Sequence, residues 1–176
     1  MKDRAIRVLL VEDDRDFVQL VRGILERERA FQIEHRDTLA GSLERLKQGP
    51  LDVLLVDLGL SDSKGLQTFT RLSAAAPAIP IVVLSVTDDQ TIALEAVRQG
   101  AQDYLVKTDT DLKLIPRILR YAIARRRTDA ALREVDRLEQ LNRMLMEREG
   151  RVLDLKQEVN VLLQELGRPP KYQVTS

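Results

Sequence analysis

The run IRVLLV at Ile6–Val11 stops at three acids, Glu12, Asp13 and Asp14. VLLVD at Val53–Asp57 also stops at an acid. A strand apolar at nearly every position must be covered on both faces, and a parallel sheet flanked by helices does this. Three more runs share the spacing: FQIEHR at Phe31–Arg36, half polar, IPIVVLSV at 79–86, and DYLV at Asp103–Val106. The stretches between them have helical periodicity, at 16–29, 39–48, 66–75, 89–99 and from 112 onward. Gly49-Pro50, Pro77 and Gly100 punctuate their ends. Five strand–helix units predict an α/β chain with a doubly wound parallel sheet and right-handed crossovers. Ligands of such sheets sit at the carboxyl ends of the strands.

The pattern changes near residue 121. No strand-like run follows, and no proline until Pro169. Ala124, Ala131, Leu138, Leu145, Val152, Val159 and Leu166 recur every seven residues, with Leu141, Leu155 and Leu162 three positions on. A strict seven-residue repeat predicts one long helix that pairs as a left-handed coiled coil. Asn142, Arg148 and Glu149 fault the seam, and Gly150 weakens it by about 1 kcal/mol relative to alanine. The competing expectation is an antiparallel hairpin that bends near Gly150. Leu166-Gly167-Arg168-Pro169-Pro170 reads as a helix stop. The expected organisation is a domain at 1–124, a helical coiled-coil extension at 125–167 and a disordered tail at 168–176. Met1 and the helix stop are read as marks of an intact chain.

Composition removes several function classes. The 176 residues contain no cysteine and one histidine, His35, so thiolate sites, disulfides and multi-histidine metal sites are out. Lys+Arg and Asp+Glu are both 28, which disfavours a generally basic nucleic-acid binder. No apolar run approaches the roughly 18 residues of a membrane span, and MKDRAIRVLLVEDD does not read as a signal peptide. A cytoplasmic protein is expected. Residues 122–176 hold 11 basic and 9 acidic side chains, too balanced for a DNA-binding tail.

In the predicted sheet the strand ends share one edge. This brings together Glu12 and Asp13, Asp57, Ser85 at the end of the fourth run, and Lys107 after the fifth. Clustered carboxylates repel without a cation, and an oxygen-only donor set selects a hard ion such as Mg²⁺. An ammonium and a hydroxyl beside them suit phosphoryl transfer onto a carboxylate, with Asp57 as the nucleophile.

At this point the chain resembles the receiver domain of two-component response regulators. The resemblance is carried by VEDD at 11–14, VDLGLSDSKG at 56–65, VVLS at 82–85 and DYLVK at 103–107, in order, and covers about residues 5–124. It implies a flavodoxin-like (βα)5 fold with strand order 2-1-3-4-5. It implies that Asp57 accepts a phosphoryl group from a histidine kinase or a histidine phosphotransfer protein. Asp13 and Asp57 would ligate Mg²⁺ directly, Glu12 mainly through water, and Gly59 through its backbone carbonyl. Ser85 would hydrogen-bond the acyl phosphate, Tyr104 would turn inward behind it, and Lys107 would pair with phosphoryl oxygens.

Two residues depart from the family's pattern. Thr108 follows Lys107 where the family usually has proline, so a trans bond is expected there. Ser61 stands where the family often has proline, which predicts a looser loop after Asp57. Thr87 is expected to cap the following helix, His35 to lie away from the acid edge as a surface residue, and Arg125–Arg127 to form a solvated helix face.

The expected function is a phosphorylation-dependent regulator, not an enzyme, that signals through protein contacts. It would be dimerised by the coiled coil and have no DNA-binding or enzymatic output. Its downstream partner is not legible. The first alternative is a structural dimeric adaptor with a weakly phosphorylated receiver. An aspartyl phosphatase is disfavoured, because Asp57-Leu58-Gly59 lacks the second acid of Asp-x-Asp.

Overall fold

The computed structural model describes residues 4–86, 90–108 and 112–173. The main sheet holds β1 (Ile6–Val11), β2 (Phe31–Arg36), β3 (Val53–Asp57), β6 (Ile81–Ser85) and β7 (Asp103–Val106). Their order is β2-β1-β3-β6-β7, and every pairing is parallel. Counting only these five strands, this is the expected 2-1-3-4-5. The central strands β3 and β6 are buried at every position, while the edge strands β2 and β7 are mixed. Burial thus explains which runs are apolar throughout.

The side-chain alternation of each strand divides the core into two layers. Val8, Leu10, Val53, Leu55, Val82 and Leu84 face α1 (Arg15–Glu26) and the start of α5 (Ile115–Glu165). Leu9, Val11, Leu54, Val56, Ile81 and Val83 face α2 (Leu39–Leu46), α3 (Leu66–Ala75) and α4 (Gln90–Arg98). Each layer is continuous across β1, β3 and β6, so these strands are packed on both faces up to the carboxyl edge.

Local signals set the helix starts. Asp14 caps α1, its carboxylate accepting from Asp16 N at 2.9 Å and Phe17 N at 3.2 Å. Thr38 caps α2, with Gly41 N at 3.2 Å. Gly65 precedes α3 at φ 64, a left-handed conformation that glycine adopts without strain. Thr87 lies outside the described residues.

A feature not anticipated from sequence is the short antiparallel pair β4 (Gly59–Leu60) and β5 (Ser63–Lys64). At its turn, Asp62 Oδ1 accepts from Leu39 N at 2.8 Å and Oδ2 from Ala40 N at 3.0 Å. The expectation of a looser loop is corrected: Asp62 pins the segment after Asp57 to the start of α2.

The chain divides into two compact units, residues 1–128 and 129–176. The first includes the opening of α5, where Ile115, Leu119, Ala122 and Ile123 are buried. Arg126 is bonded to the carbonyl of Pro77, so this part of the arginine run is not simply solvated. The second unit is helix from Asp129 to Glu165 followed by a short tail. α5 runs unbroken through Gly150, so the hairpin is not formed. The seam residues Leu138, Leu141, Leu145, Val152, Leu155, Val159 and Leu162 are all exposed. Asn160 Oδ1 accepts from the backbone N–H groups of Lys171 (2.9 Å) and Tyr172 (3.0 Å), and its Nδ2 donates to the carbonyl of Tyr172 at 2.7 Å. The tail is turned back onto the helix. Among the described residues no helix is long and apolar enough to cross a membrane.

Candidate functional site

Four chain segments leave the sheet at the same edge. Glu12 and Asp13 follow β1, Asp57 and Ser85 end β3 and β6, and Lys107 follows β7. They line one cleft of about 400 Å³ together with Asp14, Leu58, Gly59, Gly65, Val86 and Ile92. Six of the seven residues expected at the site meet there. The seventh, Tyr104, does not line the cleft; it packs half-buried against the layer below.

The centre of the cleft is a buried cation between two acids. Lys107 Nζ lies 2.7 Å from Glu12 Oε2 and 3.2 Å from Asp57 Oδ2. The Glu12 side chain is fully buried, and those of Asp57 and Lys107 are each 8% exposed. Asp13 is exposed at the rim. Glu12, Asp13 and Asp57 each offer a carboxylate oxygen within 4.8 Å of the others. Three carboxylates against one ammonium leave a net negative pocket of oxygen donors. That set fits a hard divalent cation such as Mg²⁺.

Burial pushes the Glu12 carboxyl above the usual carboxylate range. The Lys107 hydrogen bond opposes that shift, and the negative charge of Asp57 adds to it. Glu12 Oε1 also accepts from Asp14 N at 3.2 Å.

Backbone contacts fix the approach of each side chain. Lys107 N donates to Ser85 O at 2.8 Å, and Thr108 N to Val106 O at 2.7 Å. There is no cis peptide bond among the described residues, so the Lys107–Thr108 bond is trans, as expected without proline. Leu58 N donates to Leu84 O at 3.3 Å, and Gly65 N to Leu58 O at 2.7 Å. A Cβ placed at Gly59 would lie 3.4 Å from Asp57 Oδ2, so this backbone runs directly beside the carboxylate.

Sequence reasoning missed three neighbours. His35 is not at the remote surface: it is half-buried, and its Nε2 is 2.7 Å from the Glu12 carbonyl oxygen. Its position as the fifth residue of β2, paired with Leu10, could have placed it near the edge. Asp62 carries no local signal of its role. Phe17 reads in sequence as another apolar residue of α1, yet its ring lies under the Lys107 ammonium, 4.4 Å from Nζ to centroid.

A catalogued family, the response regulator receiver domain, matches residues 8–119. The transcriptional regulatory protein KdpE of Mycobacterium tuberculosis is 32% identical over 124 residues, 70% of this chain and 53% of that protein. ZraR of Escherichia coli, also a transcriptional regulatory protein, is 28% identical over 102 residues, 58% of this chain and 23% of that protein. The chain thus spans between about a quarter and about half of these curated relatives. Among solved structures, the signal receiver domain of an HD domain-containing protein from Pseudomonas fluorescens Pf-5 superposes with TM-score 0.63 at 19% identity, covering 74% of this chain and 96% of that one. A receiver domain protein from Methanospirillum hungatei JF-1 superposes with TM-score 0.62 at 19% identity, covering 71% and 98%. At those identities the superpositions speak for the fold. With the family match spanning most of the chain and the acids and lysine gathered at the sheet edge, this chain belongs to the response regulator receiver domain family.

Proposed function

We propose that this protein is a phosphoacceptor of a two-component phosphorelay, with Asp57 taking the phosphoryl group. The observation that carries the reading is the Lys107 ammonium held between Glu12 and Asp57, with Asp13 beside them. An Asp57 carboxylate oxygen attacks phosphorus, the O–P bond forms, and the P–N bond to the donor imidazole breaks. The imidazole, protonated on its other nitrogen, leaves neutral. Lys107 offsets charge on the phosphoryl oxygens, and the Ser85 hydroxyl donates to one of them. Glu12, Asp13, Asp57 and the Gly59 carbonyl would hold Mg²⁺. When bound, it supplies further positive charge where the phosphoryl oxygens gather. Tyr104 turns inward behind Ser85 in the phosphorylated form and passes the change to α4, β7 and α5.

The donor in this reading is a phosphohistidine on a histidine kinase or phosphotransfer protein in the cytoplasm. Residues 1–124 act as the receiver, 125–167 as the pairing helix and 168–176 as a tail. The exposed apolar seam residues from Leu138 to Leu166 support pairing with a second copy of the chain, parallel, so that two receivers sit at one end. Output passes through protein contacts, without nucleic acid, membrane or turnover of a substrate.

Incubation with acetyl phosphate and Mg²⁺ tests the reading by intact-mass and peptide mass spectrometry. One phosphoryl group on Asp57, absent in Asp57→Asn, is the expected result. A chain that stays unmodified would instead be an adaptor whose receiver is structural.

A further inference from the structure

We propose that Phe17 is a positioning residue for Lys107. This rests on the phosphoacceptor reading above and adds a residue to its machinery. The Lys107 backbone is fixed by its N–H to Ser85 O and by Thr108 N to Val106 O, but four rotatable bonds separate it from the ammonium. Among the described residues, three groups meet that ammonium. Glu12 Oε2 and Asp57 Oδ2 approach at 2.7 and 3.2 Å, and the Phe17 ring presents its centroid at 4.4 Å. The side chain is 8% exposed, so little water screens the attraction between cation and ring quadrupole.

The ring differs in kind from the two acids. A carboxylate fixes the ammonium at one point. A ring face attracts it over an area, so Nζ can shift from the Asp57 carboxylate toward an incoming phosphoryl oxygen without losing this support. Once Asp57 carries the phosphoryl group as an acyl phosphate, its carboxylate no longer pairs with Lys107 as before. Glu12 and Phe17 then keep the ammonium in the cleft. Phe17 is placed for this by Asp14, whose carboxylate accepts the Phe17 backbone N–H at 3.2 Å in the first turn of α1. The phenylalanine also packs against the first core layer, so a role as plain filler must be separated from the role proposed.

Two variants of the full chain separate them. Phe17→Leu retains an apolar side chain in the core and removes the ring. Phe17→Tyr retains the ring and puts a hydroxyl on a half-exposed residue. Phosphorylation of Asp57 by phosphoramidate with Mg²⁺ is followed as a rate constant. Ring-current displacement of the Lys107 ε-protons is read by NMR without any phosphoryl donor. The expected result is a five- to tenfold slower reaction in Phe17→Leu and a rate within twofold of wild type in Phe17→Tyr. Tenfold corresponds to about 1.4 kcal/mol in the barrier. The ε-proton displacement should vanish in the leucine variant and persist in the tyrosine variant. A leucine variant that reacts at the wild-type rate overturns the proposal. So does an equal slowing in both variants that tracks lost thermal stability, since Phe17 is then only filler. A wild-type chain that takes no phosphoryl group while its ε-protons remain displaced refutes the phosphoacceptor reading and leaves the positioning contact standing.

Discussion

His35 Nε2 lies 2.7 Å from the backbone carbonyl oxygen of Glu12, joining the edge strand to the acid that pairs with Lys107. A carbonyl oxygen only accepts, so Nε2 carries a proton and donates to it. The bond steadies the turn after β1, where Glu12 N also donates to Arg36 O at 3.0 Å. His35→Ala is expected to lower stability by about 1 kcal/mol, the net value of one such bond. His35→Gln keeps an N–H donor and should recover part of the loss. Urea unfolding of the two variants against wild type measures it, and an alanine variant with an unchanged midpoint would contradict it.

Asp57→Asn should remain folded and lose phosphoryl acceptance. The two side chains are nearly the same size, and the amide is a far weaker nucleophile than a carboxylate. Asp57 is one member of a net negative cluster, so removing its charge should hold or raise thermal stability in the absence of Mg²⁺. A thermal melt with and without Mg²⁺ reads this directly. The stabilisation that Mg²⁺ confers on wild type should shrink in the variant.

The Glu34–Arg45 pair sets one acid limb of stability. Arg45 of α2 grips the Glu34 carboxylate of β2 through Nε and Nη2, the latter at 2.5 Å, and its Nη1 donates to Gly49 O at 3.2 Å. The Arg45 hydrogen bond holds the Glu34 carboxyl below its ordinary value of 4.5, against a smaller opposing effect of burial. Its folded-state value is therefore depressed. The stabilisation is present above the unfolded-state value near 4.5 and is lost as pH falls through the folded-state value. Glu34→Gln should cost about 2 kcal/mol at pH 7, because it weakens a charge-assisted pair around a buried guanidinium. The cost should shrink as pH falls below the ordinary value of 4.5 and through the depressed folded-state value. Chemical unfolding across pH 3–7 checks both, and a cost independent of pH would refute the linkage.

Pairing through the exposed seam should depend on seam positions alone. Leu145→Glu puts a charge among residues that a partner helix would bury and should convert a dimer to a monomer in sedimentation equilibrium. Val161→Glu replaces an exposed residue off the seam and should leave the mass unchanged. A wild-type chain that is monomeric at micromolar concentration would exclude the coiled-coil dimer.

Asn160 should govern the tail. Its side chain makes three hydrogen bonds to the backbone of Lys171 and Tyr172. Lys156, Asn160 and Leu163 are half-buried, whereas the other helix residues from 131 onward are exposed. Asn160→Ala should abolish protection of the Lys171 and Tyr172 amides in hydrogen exchange. Global unfolding should move by less than about 1 kcal/mol, since these bonds are solvent-exposed.

The sheet was legible because burial on two faces leaves its mark on every residue of the central strands β3 and β6. Ile6–Val11, Phe31–Arg36, Val53–Asp57, Asp103–Val106 and the helix Leu66–Ala75 occur where the patterning places them. The acids Glu12, Asp13 and Asp57 were legible for a related reason. A polar group that abruptly ends an apolar run marks the sheet edge, and a parallel sheet gathers such edges together. The seven-residue repeat likewise identified the long helix, whose period is a local property.

Contacts between distant residues left no such mark. β4 and β5 are only two residues each, too short for any period to register. Asp62 became a clamp because the turn they form lies against the first amides of α2. His35 came to bond the Glu12 carbonyl because β2 pairs in register with β1. Phe17 is an apolar residue on an amphipathic helix by pattern, and a ring beneath a buried ammonium by position. Local patterning and strand-end chemistry, which depend on near neighbours along the chain, were determined by the sequence itself. Which side chains meet across the cleft was decided only by tertiary structure, because those distances depend on the packing of whole elements.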